Sequence, residues 1–174
     1  MKPILLHGKT VNREGQPLIC VPIVGRTPTL VIAELEAVLA KQPDLIEWRV
    51  DFFQEIGDAV AVIDTARRIK DAAGGIPLIF TIRSAKEGGT PIALHESDVL
   101  KLYVAACASR CVDIIDYELS NPLGSIERLR STSRDNDVAM IMSFHDFAST
   151  PESSAISAKF MEAERLGADI AKVA

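Results

Sequence analysis

Apolar residues follow two rhythms that alternate along the chain. Short, nearly continuous apolar runs read as strands at Ile19–Val24, Leu45–Val50, Pro77–Thr81, Val112–Asp116, Val138–Phe144 and Ile170–Val173. Between them, apolar positions recur at helical spacing over Leu30–Ala40, Ala59–Ala72, Ser97–Ser109, Ser125–Asp135 and Ser153–Leu166. Pro28 suits a first helical turn, Asp58 and Ser153 suit N-caps, and Gly74 and Gly167 suit helix stops. Strand, helix, strand at intervals of roughly 25–35 residues is the βαβ signature of a parallel sheet. The repeat is one of element order, and no residue-level repeat accompanies it. Residues 1–17 precede this series and read as a short N-terminal hairpin or cap, with Glu14-Gly15 near its turn. The whole chain, 1–174, reads as one domain.

Two α/β architectures fit this order. An open doubly wound sheet closes naturally with five or six strands, whereas a (β/α)8 TIM barrel needs eight and typically ~250 residues. A length of 174 residues favours the open sheet. The second strand argues the other way. In Ile46-Glu47-Trp48-Arg49-Val50-Asp51 a period of two puts Glu47, Arg49 and Asp51 on one face. A sheet covered by helices has no room for three charges on a face, but the C-terminal mouth of a barrel does.

Composition narrows the class. The chain is 48% hydrophobic and 25% charged, which is globular. Its mean hydropathy of +0.17 fits strands buried on both faces. A net charge of −5 argues against a nucleic-acid partner. No run of ~18 apolar residues is present, so no membrane span is expected, and the N-terminus does not read as a signal peptide. Cys20, Cys107 and Cys111 lack metal-ligand spacing and read as small buried hydrophobes. The expected location is the cytoplasm.

The candidate chemistry lies at the strand ends. The second strand delivers Glu47 and Arg49, and the third Arg83 followed by Ser84-Ala85-Lys86-Glu87-Gly88-Gly89. The fourth delivers Asp116-Tyr117-Glu118, the fifth Ser143-Phe144-His145-Asp146-Phe147, and the sixth Lys172. Five successive strand ends carrying ionisable groups point to a site. Lys172 on an apolar strand is a candidate imine-forming nucleophile if desolvation and neighbouring cations, Arg49 and Arg83, free its amine. The other reading is a lysine that snorkels to solvent. His145 suits proton transfer near neutral pH, with Glu87 or Asp116 orienting it; the other reading is an ordinary loop histidine. His7 and His95 read as surface residues. Arg49 and Arg83 suit an oxygen-rich or anionic small molecule, and Glu47 suits its hydroxyls. An internal ion pair of Glu47 with Arg49 or Arg83 fits equally. Gly88-Gly89 is too short for a phosphate cradle, and neither a nucleotide motif nor zinc spacing occurs. No cofactor and no metal are expected.

Taken together these segments resemble type I 3-dehydroquinate dehydratase. The matching runs are Glu47-Trp48-Arg49-Val50-Asp51, Phe80-Thr81-Ile82-Arg83-Ser84-Ala85-Lys86-Glu87-Gly88-Gly89, Asp113-Ile114-Ile115-Asp116-Tyr117-Glu118, Ser143-Phe144-His145-Asp146-Phe147 and Gly167-Ala168-Asp169-Ile170-Ala171-Lys172. They occur in the family's order from about Ile19 onward. The resemblance implies a (β/α)8 TIM barrel and a cofactor-free lyase of the shikimate pathway, the route to aromatic amino acids. It would dehydrate 3-dehydroquinate to 3-dehydroshikimate by syn elimination through a Schiff base. Lys172 would form the imine, His145 would shuttle the proton, and Glu87 would pair with His145. Glu47, Arg49 and Arg83 would bind substrate, with Asp116 a supporting group near the His–Lys pair. Homodimers are common in the family.

Two departures from the family pattern stand out. Val21-Pro22-Ile23 lacks a serine that some members place in the first strand. The family pattern also continues past its lysine for two strands with their helices, a carboxylate-gripping arginine and a lid loop. The expectation is therefore a C-terminally truncated, incomplete barrel of about six βα strands, with impaired activity and self-association through open sheet edges. Two alternatives stay open: another Schiff-base enzyme of the class I aldolase type, and an inactive fragment or interaction module.

Overall fold

The computed structural model describes residues 4–6, 9–11 and 17–174. Strands β1 (Ile4–Leu6) and β2 (Lys9–Val11) pair antiparallel, with Leu6 opposite Lys9. The expected Glu14-Gly15 turn lies outside the described residues.

Six parallel strands follow in strict sequence order: β3 (Cys20–Ile23), β4 (Leu45–Arg49), β5 (Leu78–Thr81), β6 (Ile114–Glu118), β7 (Ala139–Phe144) and β8 (Ile170–Val173). Helices α1 (Pro28–Leu39), α2 (Ala59–Ala72), α3 (Glu96–Ser109), α4 (Leu123–Asp135) and α5 (Ser153–Arg165) make the crossovers. Each strand pairs with the next one in sequence, so the sheet curls as an incomplete barrel and not as a doubly wound sheet, whose strand order reverses.

Local chemistry sets the boundaries. Thr27 caps α1, its hydroxyl accepting the Leu30 N–H, with Pro28 at the first helical position. Asp58 caps α2 through the N–H groups of Val60 and Ala61. Gly74 and Gly167 take the left-handed conformation beyond α2 and α5. Ser153 is not a cap: it is the first helical residue, and Glu152 occupies the cap position without a side-chain hydrogen bond. β4 stops at Arg49, and Asp51 sits in a 3-10 turn, Val50–Phe52, and not on the strand. β6 runs two residues further than expected, because its pairing with β7 extends to Glu118↔Ser143.

The two faces of the sheet bury different layers. Ile46, Trp48, Leu78, Phe80, Ile115, Tyr117, Met140 and Met142 point to the helices and join Val31, Leu35, Val62, Ile69, Leu102 and Leu129 in the main core. An edge-to-face row crosses it, Trp48–Phe80–Tyr103–Tyr117, with centroids 5.9, 5.4 and 5.1 Å apart. On the concave face Ile79, Ile114 and Ile141, with Leu45, Ala139 and Ile170, form a separate apolar plug. One step along each strand above this plug the concave face turns polar.

Register is pinned by a device that repeats every second strand. Asp44, Asp113 and Asp169 immediately precede β4, β6 and β8. Their carboxylates accept the backbone N–H of Ile19, Leu78 and Met140, beside or within the preceding strand, at 3.0, 2.7 and 2.8 Å. Lys70 of α2 binds both oxygens of Asp113, and Arg130 of α4 binds both oxygens of Asp169. The chain thus has a residue-level repeat after all, Asp-Leu-Ile, Asp-Ile-Ile and Asp-Ile-Ala, beneath the repeat of element order.

Candidate active site

Arg83, just past β5, organises the polar layer. It is 4% exposed. Its Nη2 donates to Asp116 Oδ1 at 2.8 Å, and its Nη1 to Ser143 Oγ at 2.8 Å and Glu118 Oε1 at 3.2 Å. Ser143 Oγ in turn donates to Asp116 Oδ1 at 2.5 Å. Burial alone would lower the Arg83 pKa, but the Asp116 and Glu118 carboxylates outweigh it and the pKa is raised. The guanidinium stays charged and ties three strands together. Beneath it the buried Tyr103 hydroxyl donates to the Asp116 carbonyl at 2.7 Å and accepts the Ile82 N–H at 2.8 Å. Burial pushes this phenol well above its ordinary pKa, so it is neutral.

Asp116 stands between two cations. Its Oδ1 faces Arg83, and its Oδ2 accepts from Lys172 Nζ at 3.3 Å. The group in contact with Lys172 is therefore an anion, not the expected arginines. Arg49 is committed elsewhere: its Nε and Nη2 form a fork to Asp51 at 2.8 and 2.9 Å, and its guanidinium lies 5.2 Å from the Phe52 ring centroid. The hydrogen bond to Asp51 is the main reason its pKa is raised. Asp51 also accepts the backbone N–H groups of Arg83 and Thr90. The expected ion pairs of Glu47 are replaced by a hydrogen bond from Thr81 Oγ1 to Glu47 Oε1 at 2.8 Å.

Glu87 is delivered by the loop after β5. Ser84 Oγ caps the 3-10 turn Ala85–Glu87, and the Ser84 carbonyl accepts the N–H groups of Glu87 and Gly89. Gly88 adopts φ +83°, and a Cβ on Gly89 would collide with the Arg83 carbonyl. The two glycines serve this fold-back. Glu87 Oε2 meets His145 twice, accepting its backbone N–H at 3.1 Å and contacting ring Nδ1 at 3.0 Å. Its Oε1 accepts from Ser120 Oγ at 2.6 Å. Burial raises the Glu87 pKa, but the hydrogen bonds from His145 and Ser120 and the charge of Arg83 prevail, and it lies below the ordinary carboxylate value. A carboxylate on Nδ1 selects the tautomer that leaves Nε2 as the base. The ring stacks against Phe147, with centroids 6.4 Å apart.

The structure thus brings Arg83, Glu87, Asp116, His145 and Lys172 into one connected set and places Glu47 and Arg49 on the neighbouring strand of the same face. Asp51, Glu118, Ser120, Ser143 and Tyr103 also belong to this network, with no role expected for them from sequence. Alternation held a signal for two of them, since Glu118 shares a face with Asp116, and Ser143 with His145. Cys20 departs from expectation. It lies on the edge strand β3 and is exposed, while Cys107 and Cys111 are buried. The residue is exposed at the sheet edge, but its side of β3 is the concave one, where partial desolvation of the thiol and the Glu47 carboxylate push it up to about 11.

A model of the type I 3-dehydroquinase family matches residues 19–174, a span that holds every one of these groups. The chain belongs to this family. The 3-dehydroquinate dehydratase of Albidiferax ferrireducens is 53% identical over 173 residues, covering 99% of this chain and 66% of the relative. The crystal structure of 3-dehydroquinate dehydratase from Geobacillus kaustophilus superimposes with a TM-score of 0.95 at 42% identity, over 99% of this chain and 66% of that one. The type I enzyme from Clostridium difficile, solved with covalent modified comenic acid, gives a TM-score of 0.95 at 31% identity, over 99% and 67% of the two chains. The chain spans about two thirds of the length of the curated relatives it matches.

Proposed function

We propose that this chain carries the imine-forming and proton-transfer groups of a 3-dehydroquinate dehydratase. The observation that carries the reading is the pairing of two linked units on one concave face: Glu87–His145, and Lys172–Asp116–Arg83. The first is a proton shuttle with a fixed tautomer, and the second a primary amine held by a buried carboxylate.

In the proposed reaction the unprotonated Lys172 amine adds to the substrate ketone carbon, and the resulting carbinolamine takes up a proton from solvent and loses water to leave a protonated imine. The imine draws electrons from the adjacent carbon, and His145 Nε2 takes the proton there, giving an enamine. The enamine electron pair then expels the β-hydroxyl, which leaves as water with the proton held by His145. Hydrolysis of the imine releases 3-dehydroshikimate and restores Lys172. Glu47 accepts hydrogen bonds from ring hydroxyls, while Arg49 and Arg83 line the same face with Asp116 in support. No step calls on a cofactor.

Product formation from 3-dehydroquinate tests the reading. Lys172→Ala is expected to abolish turnover, and His145→Ala to slow it by ~10²–10⁴-fold, the usual worth of a general base. Turnover by His145→Ala at the unmodified rate would overturn the proton-shuttle role.

Among the described residues β3 and β8 each pair with one strand only. Edge pairing between two copies is the proposed route to self-association, and a single monomeric species in sedimentation velocity at high concentration would count against it. No helix among the described residues is long and apolar enough to cross a membrane.

A further inference from the structure

The two oxygens of Glu87 are divided between two neighbours. Oε2 serves the backbone N–H and ring Nδ1 of His145, and Oε1 accepts from Ser120 Oγ. Ser120 does not belong to the loop that carries Glu87. It sits in the turn after β6, where Asn121 anchors the chain by donating from its backbone N–H and its Nδ2 to the Glu118 carbonyl at 3.2 and 3.0 Å. The hydrogen bond from Ser120 therefore ties the β5 loop to the end of β6.

A competitor for the carboxylate stands close by. Arg83 Nη1 lies 3.8 Å from Glu87 Oε2, a short rotation away from a direct charge-assisted hydrogen bond. Such a swing would withdraw Oε2 from His145. Arg83 and His145 are the charged or titratable groups that face Glu87 among the described residues, and Arg83 is itself engaged by Asp116 and Glu118.

We propose that Ser120 is a positioning residue for the proton-transfer pair: its hydroxyl pins Glu87 Oε1, so that Oε2 stays on His145 and holds the imidazole in the Nδ1-protonated tautomer. Its catalytic meaning rests on the dehydratase reading, but the hold on Glu87 and His145 does not. Ser120 lies at the surface, so removing or enlarging its side chain costs little packing.

The test is NMR on the full chain, labelled with ¹⁵N and ¹³C, comparing the unmodified protein with Ser120→Ala and Ser120→Thr. The chain has three histidines, and a His145→Gln variant assigns the relevant ring. Ser120→Ala is expected to raise the Glu87 carboxyl titration midpoint by about one to two pH units, the worth of one hydrogen bond to a charged acceptor. It is also expected to populate the Nε2-protonated tautomer of His145. Ser120→Thr keeps the hydroxyl and is expected to restore both. A Ser120→Ala protein with unmodified midpoint and tautomer would overturn the proposal, as would Ser120→Thr behaving like Ser120→Ala. Neither readout needs substrate. Borohydride trapping at Lys172 on the same samples reports separately on the dehydratase reading, so failure of one is distinguishable from failure of the other.

Discussion

Glu87 holds His145 at two points with one oxygen: the backbone N–H at 3.1 Å and ring Nδ1 at 3.0 Å. The residues are 58 positions apart, so this clamp joins the end of β7 to the loop after β5. It fixes both where the imidazole sits and which nitrogen is free. Glu87→Gln keeps the shape but removes the charge that supports an imidazolium. Turnover of 3-dehydroquinate is expected to fall by about 10²-fold, at the lower end of what a general base contributes, while imine trapping at Lys172 persists. Parallel loss of trapping would place Glu87 at the imine step instead.

The same clamp makes stability depend on acid. The Glu87 pKa is lower in the folded chain than its ordinary value of 4.5. Its contribution is therefore present in full above that ordinary value and is lost as pH falls through the depressed one. Urea midpoints measured from about pH 7 down to about pH 3 should fall more steeply for the unmodified chain than for Glu87→Gln. Identical slopes would show that Glu87 contributes no such linkage.

Arg83 neutralises a buried acidic cluster, since Asp116 and Glu118 are 1% and 4% exposed and both bond its guanidinium. Arg83→Met leaves these carboxylates buried without their cation. The expected loss is ~3–5 kcal/mol of unfolding free energy, read from urea titration. A loss under ~1 kcal/mol would mean that water replaces the guanidinium readily.

Asp169 secures the start of β8, the strand that carries Lys172: it accepts the Met140 N–H and binds Arg130. Asp169→Ala is expected to cost about 1–3 kcal/mol. Amide exchange at Met140 should accelerate while exchange at Phe80, in the centre of the sheet, changes little. Uniform acceleration at both sites would deny Asp169 a local role.

The strands and helices were legible because parallel strands buried on both faces write long apolar runs, and amphipathic helices between them write a different period. Boundaries moved where side chains intervened. Thr27 starts α1 earlier than the apolar pattern does, and the fork from Arg49 to Asp51 accompanies the end of β4. The ionisable residues of the site were legible as a set of strand ends, but their pairings were not. Arg83 meets Asp116, Glu118 and Ser143 only because β5, β6 and β7 are neighbours in this curled sheet, and Arg49 turns to Asp51 two residues away. The Asp44, Asp113 and Asp169 repeat is not legible in the sequence, because each aspartate reads locally as a loop residue ahead of a strand. Its meaning lies in the backbone N–H of the strand before.

Imine formation at Lys172 is read by intact-mass spectrometry after mixing the chain with 3-dehydroquinate and borohydride. One covalent adduct is expected, which peptide mapping places on Lys172 and which Lys172→Ala abolishes. No adduct on a chain shown to be folded, or an adduct on a different lysine, would contradict it.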